Sequence, residues 1–324
     1  MTVETHSASQ HLVDPELRDG LAVFPTFSLS DELLPVMRAQ GIGMEQPKPQ
    51  GAAADVSVGR IVIPSHDGSP DVPCYLFIPP NRSGSSGAYL HIHGGGYVLG
   101  DAAMGELSNR ETAAALGCVI LSVDYRLAPE TRWPGAVEDC YSGLAWLHAN
   151  ANRLGVDHER IAIGGESAGG GHTASLAQVA RDRGEYRICH QQLIYPMIDD
   201  RTGSTLPPLP FAGDFVWNAQ SNAFGWTSLL GHPAGTGEPP LHAVPARTQD
   251  LSGLPPAFIG CGALDLFIGE NIDYAQRLIA AGVPTELLVV PGAYHGFNGF
   301  SPDAKVSRSF NAAALAALAR ALAE

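Results

Sequence analysis

The sequence predicts an α/β fold: a mostly parallel eight-stranded sheet with helices on both faces and a helical cap. Three observations predict it. Short β-rich runs alternate with longer helical patterns from about residue 60 onward. Several of the runs are continuously apolar, as expected of strands buried on both faces of a parallel sheet. Two stretches, residues 1–50 and about 199–254, break the alternation and contain no strand pattern, so they fall outside the sheet.

In chain order the expected strands are Arg60–Pro64, Tyr75–Ile78, Ala88–His93, Cys118–Val123, Arg160–Gly164, His190–Tyr195, Ala257–Cys261 and Glu286–Val290. Helical periodicity covers Glu106–Leu116, Pro134–Leu154, Ala168–Arg183, Gly269–Ala281 and Asp303–Leu322, with an earlier patch at Ser30–Gln40. Such strand–helix–strand connections are right-handed crossovers, which is what puts helices on both faces. The core is then 51–198 plus 251–324, and the cap is built from 1–50 and an insertion at 199–250. That insertion is rich in Pro and Gly and crowds Phe211, Phe215, Trp217, Phe224 and Trp226 together. Structureless loops of this length are uncommon in compact domains, which favours a lid over a plain surface loop.

Of the 324 residues 45% are hydrophobic and 16% charged, and the formal net charge is −14. That balance supplies a large core and repels phosphate backbones and anionic lipid, so neither nucleic acid nor a membrane surface is an expected partner. The first 30 residues carry His6, Asp14, Glu16, Arg18 and Asp19 without a signal-like apolar run, and no 18-residue apolar run follows. A cytoplasmic protein is the expectation. Five scattered cysteines without a CxxC pair, and twelve histidines without HExxH, suggest neither a disulfide framework nor a metal.

Two glycine motifs carry chemistry. Gly165-Glu166-Ser167-Ala168-Gly169 has the form of a nucleophile elbow, a sharp strand-to-helix turn that lifts a serine hydroxyl above the sheet. A shuffled chain of this composition would show the pattern about 0.3 times, so its place between a strand and a helix is what gives it weight. His93-Gly94-Gly95-Gly96 is far more specific, expected by chance about 0.02 times. Consecutive glycines let backbone N–H groups approach a substrate carbonyl, and with the N–H of Ala168 they make a candidate oxyanion hole of Gly94, Gly95, Gly96 and Ala168. Tyr97, Phe215 and Trp217 are the candidate substrate-binding side chains.

These motifs, with Asp124–Glu130 reading DYRLAPE, resemble the bacterial hormone-sensitive-lipase-like carboxylesterases, the family IV esterases, from about residue 60 to the C-terminus. The resemblance implies an α/β-hydrolase core, a helical cap, no cofactor, and hydrolysis of a small-molecule ester through an acyl-enzyme. Relatives are often dimers, so a homodimer is compatible with it. In this fold an acid and a base follow the serine. Asp265 stands just past the strand Ala257–Cys261, in preference to Glu270 and Asp273 on the next helix, which read as solvated or capping groups. His295, in a His-Gly-Phe run, is the only histidine after His242. Ser167, Asp265 and His295 are thus the expected triad. Many relatives carry Asp-Pro-Leu-Arg-Asp-Glu at the acid, where this chain has Asp265-Leu266-Phe267-Ile268-Gly269-Glu270; the acid and the terminal Glu are kept, so the expected triad stands. His91 reads as a packing or hydrogen-bonding residue, His172 as a core or cap-contact residue, Arg126 and Glu130 as loop braces, and Glu166 as orienting nearby backbone. An amidase, lactonase or acyltransferase would use the same triad, whereas a ligand receptor on this fold would lack the histidine.

Overall fold

The computed structural model describes residues 8–23, 27–41, 47–80, 82 and 85–323. The parts of the expected N-terminal cap at 1–7, 24–26 and 42–46, His6 included, lie outside the described residues. Eight strands form one sheet: β1 Ser57–Ile63, β2 Val72–Ile78, β3 Ser86–Ile92, β4 Val119–Val123, β5 Val156–Glu166, β6 His190–Ile194, β7 Ala257–Gly262 and β8 Thr285–Val290. The order is β1-β2-β4-β3-β5-β6-β7-β8. β2 runs antiparallel to β1 and β4, and every other pairing is parallel.

The helices are α1 Arg18–Val23, α2 Leu33–Gln40, α3 Glu106–Leu116, α4 Gly135–Leu154, α5 Ala168–Arg183, α6 Ala219–Leu230, α7 Ile268–Ala280, α8 Phe297–Phe300 and α9 Lys305–Ala323. Apolar side chains of α4, α5 and α7 bury one face of the sheet in a single cluster with Leu90, Leu121, Ile163 and Ile259. Ala113 of α3 and Phe310, Leu318 and Leu322 of α9 cover the other face. The three-layer expectation therefore holds, with helix bounds within three residues of the sequence reading.

Strand ends depart from that reading at several places, and β1 and β2 each begin three residues early. β5 begins at Val156 rather than Arg160, continuing the chain from the left-handed Gly155 that closes α4. β3 stops at Ile92 and β6 at Ile194, one residue early, and Tyr195 leaves β6 with a φ of 35°. The insertion is no structureless loop. α6 runs through it, capped by the Asn218 side chain accepting from Ser221 N, and Trp226 is fully buried. The N-terminal segment meets the insertion directly: Leu29 N donates to Ser221 Oγ, and Asn218 Nδ2 donates to Phe27 O. Leu29, Leu34, Trp217 and Trp226 share one apolar cluster with Tyr97 and Val98, just past β3.

Candidate active site

Parallel strands gather their following loops at one edge of the sheet, where ligands bind in open α/β folds. Gly94 follows β3, Ser167 follows β5, Asp265 follows β7 and His295 follows β8. Close packing makes the elbow. A Cβ on Gly165 would run into Ile92 O, and one on Gly169 into the carbonyl oxygens of Ile92 and His93, so only glycine lets α5 descend this near β3. Ser167 takes up the turn with φ 57° and ψ −120°, a conformation that costs a non-glycine residue on the order of 1–3 kcal/mol. Its backbone is held from both sides, Ser167 N donating to Ile194 O and Ser167 O accepting from Met197 N.

His295 Nε2 is 2.9 Å from Ser167 Oγ, and His295 Nδ1 is 2.8 Å from Asp265 Oδ2. The other Asp265 oxygen accepts from Phe267 N at 2.9 Å. Asp265 is 0% exposed and the other two are 7% exposed, so the chain of bonds is shielded yet open at the serine. Gly94 lies against Ser167: a Cβ there would stand 3.5 Å from Ser167 Cβ. Among the described residues, the N–H groups of Gly94, Gly95, Gly96 and Ala168 donate to no other backbone carbonyl. Gly95 and Gly96 have φ of 126° and 60°, and the Trp217 ring fills the space where a Gly96 side chain would be. Such an arrangement has the geometry to receive a developing oxyanion beside a hydroxyl whose proton has an acceptor.

The predicted substrate residues are placed unequally. Trp217 presses on the glycine loop, its Nε1 donating to Asn222 Oδ1 at 3.3 Å. Phe215 packs on Tyr294 beside His295, ring centroids 6.1 Å apart. Tyr97 is fully buried, its hydroxyl donating to Met197 O, so it braces the loop from beneath. Arg126 and Glu130 brace as expected, Arg126 forking onto buried Asp139. Glu130 pairs with Arg38 of α2, a partner that sequence reasoning missed, and Arg38 also donates to Val98 O and Ala128 O. Glu166 Oε2 and His91 Nε2 bond each other at 3.1 Å.

Glu270 corrects an expectation. It is buried rather than solvated, because its Oε1 accepts from the N–H groups of Ile198 and Asp199 where the insertion leaves the sheet. Burial pushes its carboxyl well above the ordinary range. Asp273 is exposed, as anticipated.

His172 packs between Tyr97 and Tyr125, and His93 stacks on Tyr125 at 4.1 Å. Burial pushes His93 down to about 4 and His172 down to about 3, from an ordinary 6.5. The unfolded chain therefore holds more protons on these rings below pH 6.5. Their contribution to stability is complete above 6.5 and is lost as pH falls through 4 and then 3. His172→Leu should flatten the decline in urea-unfolding free energy between pH 6.5 and 4 by up to about 1.4 kcal/mol per pH unit, the worth of one proton. An unchanged slope would show that His172 does not stay neutral.

A family model for the alpha/beta hydrolase fold matches residues 89–299. The carboxylesterase NlhH of Mycobacterium tuberculosis is 33% identical over 96% of this chain and 96% of its own length. A solved bacterial heroin esterase superposes with a TM-score of 0.85 at 35% identity, covering 96% of this chain and 98% of that one. The esterase LipW of Mycobacterium marinum gives 0.83 at 33% identity, over 97% of both chains. The chain belongs to the α/β-hydrolase family, in its hormone-sensitive-lipase-like branch of carboxylic ester hydrolases.

Proposed function

We propose that this serine carboxylesterase works through Ser167, His295 and Asp265 and prefers short acyl chains on aryl or bulky alcohols. The observation that carries the reading is the unbroken hydrogen-bonded chain from Asp265 through His295 to Ser167 beside the glycine loop. Ser167 Oγ attacks the ester carbonyl while His295 Nε2 takes its proton, and Asp265 holds the imidazolium by Nδ1–H. The N–H groups of Gly94, Gly95 and Ala168 receive the oxyanion, with Gly96 next in the loop. Nε2 then protonates the leaving alcohol. Water attacks the acyl-enzyme with the same histidine as base, releasing the acid and restoring Ser167.

The segment 1–50 and the insertion 199–250 act together as the cap over a core of 51–198 and 251–324. Their shared apolar cluster supports this, and Trp217 seated on Gly96 makes the cap a wall of the site. We place the enzyme in the cytoplasm, in keeping with five unpaired cysteines. Among the described residues no helix is long and apolar enough to cross a membrane. The open edge of β8, with Leu287 and Val289 part-exposed, is compatible with a homodimer.

A walled pocket rejects long acyl chains sterically, while each methylene that does fit contributes only about 0.8 kcal/mol. In a series of p-nitrophenyl esters from acetate to palmitate, kcat/KM should peak at the short end, and the matched anilides should be slower. An optimum at long chains would overturn the confined-site reading. Anilides hydrolysed as fast as esters would point to an amidase instead.

A further inference from the structure

We infer that Tyr195 and Phe267 are positioning residues for the catalytic base, an aromatic clamp on the His295 ring; this rests on the triad reading above. The two rings meet the imidazole at large angles: Tyr195 with its centroid 4.9 Å away and tilted by 64°, Phe267 at 5.2 Å and 87°. Both are buried, and each packs against the imidazole.

What makes the pair more than packing is where each ring is rooted. Tyr195 follows β6 directly, and the preceding residue, Ile194, accepts the hydrogen bond from Ser167 N. Phe267 stands two residues beyond Asp265, and its N–H donates to Asp265 Oδ1. One wall of the clamp is thus tied to the nucleophile and the other to the acid. A shift of either neighbour carries the wall with it, which keeps Nε2 facing Ser167 and Nδ1 facing Asp265.

The Tyr195 backbone supports the same conclusion. Its φ is 35°, in the left-handed region that a residue with a Cβ occupies only under compulsion. Two anchors hold it there. Tyr195 N donates to Gly260 O at 2.6 Å, and the hydroxyl donates to Asn298 Oδ1 at 3.0 Å. Asn298 lies three residues past His295 and bonds Asn311 of α9 in turn. The phenol therefore ties the wall to the loop that bears the base. Burial keeps its proton in place far into the alkaline range.

Confinement of a base acts on turnover rather than on substrate affinity. A displacement of about 1 Å in a reacting group costs about 10²-fold. Tyr195→Leu and Phe267→Leu should each lower kcat for p-nitrophenyl acetate by about 10- to 100-fold with KM within about twofold. Tyr195→Phe, which keeps the ring and loses one neutral hydrogen bond, should recover kcat to within about threefold. The downfield Nδ1–H proton resonance of His295 should be sharp in the wild type and in Tyr195→Phe and broadened in both Leu variants.

Wild-type kcat in a folded Leu variant would overturn the clamp, as would Tyr195→Phe as impaired as Tyr195→Leu. Loss of folding in both Leu variants would assign the rings to stability and overturn it too. Ser167→Ala runs alongside as the control. If it keeps its activity the triad reading falls; if it is inactive while the Leu variants turn over normally, the clamp alone falls.

Discussion

Ser167→Ala is expected to leave the chain folded and to lower kcat for short-chain esters by about 10³-fold or more, because the triad acts as a unit. The fold should survive for a specific reason. The bonds that hold this residue run through its backbone to Ile194, Met197 and Gly171, and alanine keeps all three. The side chain supplies only the contact with His295 Nε2. The strain at φ 57° belongs to any residue with a Cβ, so alanine neither adds to it nor relieves it. Ser167→Gly should therefore be just as inactive and more stable than Ser167→Ala by about 1 kcal/mol, since glycine occupies that conformation at ease. Urea denaturation and p-nitrophenyl acetate hydrolysis on the two variants separate these effects. Residual turnover in either above about a tenth of wild type would remove Ser167 from the mechanism, given the usual size of the loss.

The parts of this site that were legible in the sequence share a physical character. Gly165 and Gly169 flank the serine because the approach of α5 to β3 leaves no room for a Cβ, and such a constraint acts at fixed spacing. The glycine run after His93 is legible for the same reason. Asp265 and His295 were found from chain order and strand ends, which the alternating pattern sets without knowledge of tertiary contacts. What stayed hidden depends on contacts distant in sequence. Glu270 looks like any first-turn glutamate until Ile198 and Asp199 are seen to bring it two backbone donors. Arg38 meets carbonyls some 60 and 90 residues away, and nothing in its own neighbourhood signals that. Tyr195 was read as the last residue of a strand, because an aromatic after the five strand positions His190–Ile194 carries no mark of a positive φ. Strand boundaries drifted, by three residues at the starts of β1 and β2 and by one at His93 and Tyr195, whereas helix ends held where a left-handed glycine closed the element, as at Gly117, Gly155 and Gly184.

Asp265→Asn tests the acid most sharply, because the carboxylate faces two N–H donors and an amide can accept from only one side. Oδ1 accepts from Phe267 N and Oδ2 from His295 Nδ1. The backbone donor is fixed, whereas the imidazole can move its proton to the other nitrogen. Turning the amide NH2 toward Phe267 N would oppose two donors in a fully buried place, at a cost of about 1–3 kcal/mol. The amide should therefore point its oxygen at Phe267 and its NH2 at His295 Nδ1, which drives the ring proton onto Nε2. In that tautomer Nε2 donates toward Ser167 Oγ and accepts nothing, so the base is absent although every heavy atom is in place. Stability should stay close to wild type and kcat should fall by about 10⁴-fold. The rival carboxylates stand elsewhere: Asp273 is exposed, and Glu270 Oε1 accepts from the N–H groups of Ile198 and Asp199. A variant that keeps more than about a tenth of the rate would reduce Asp265 to a brace for the Phe267 turn, far short of the loss expected of a triad acid. A variant that loses stability along with rate would show instead that the amide had turned the other way.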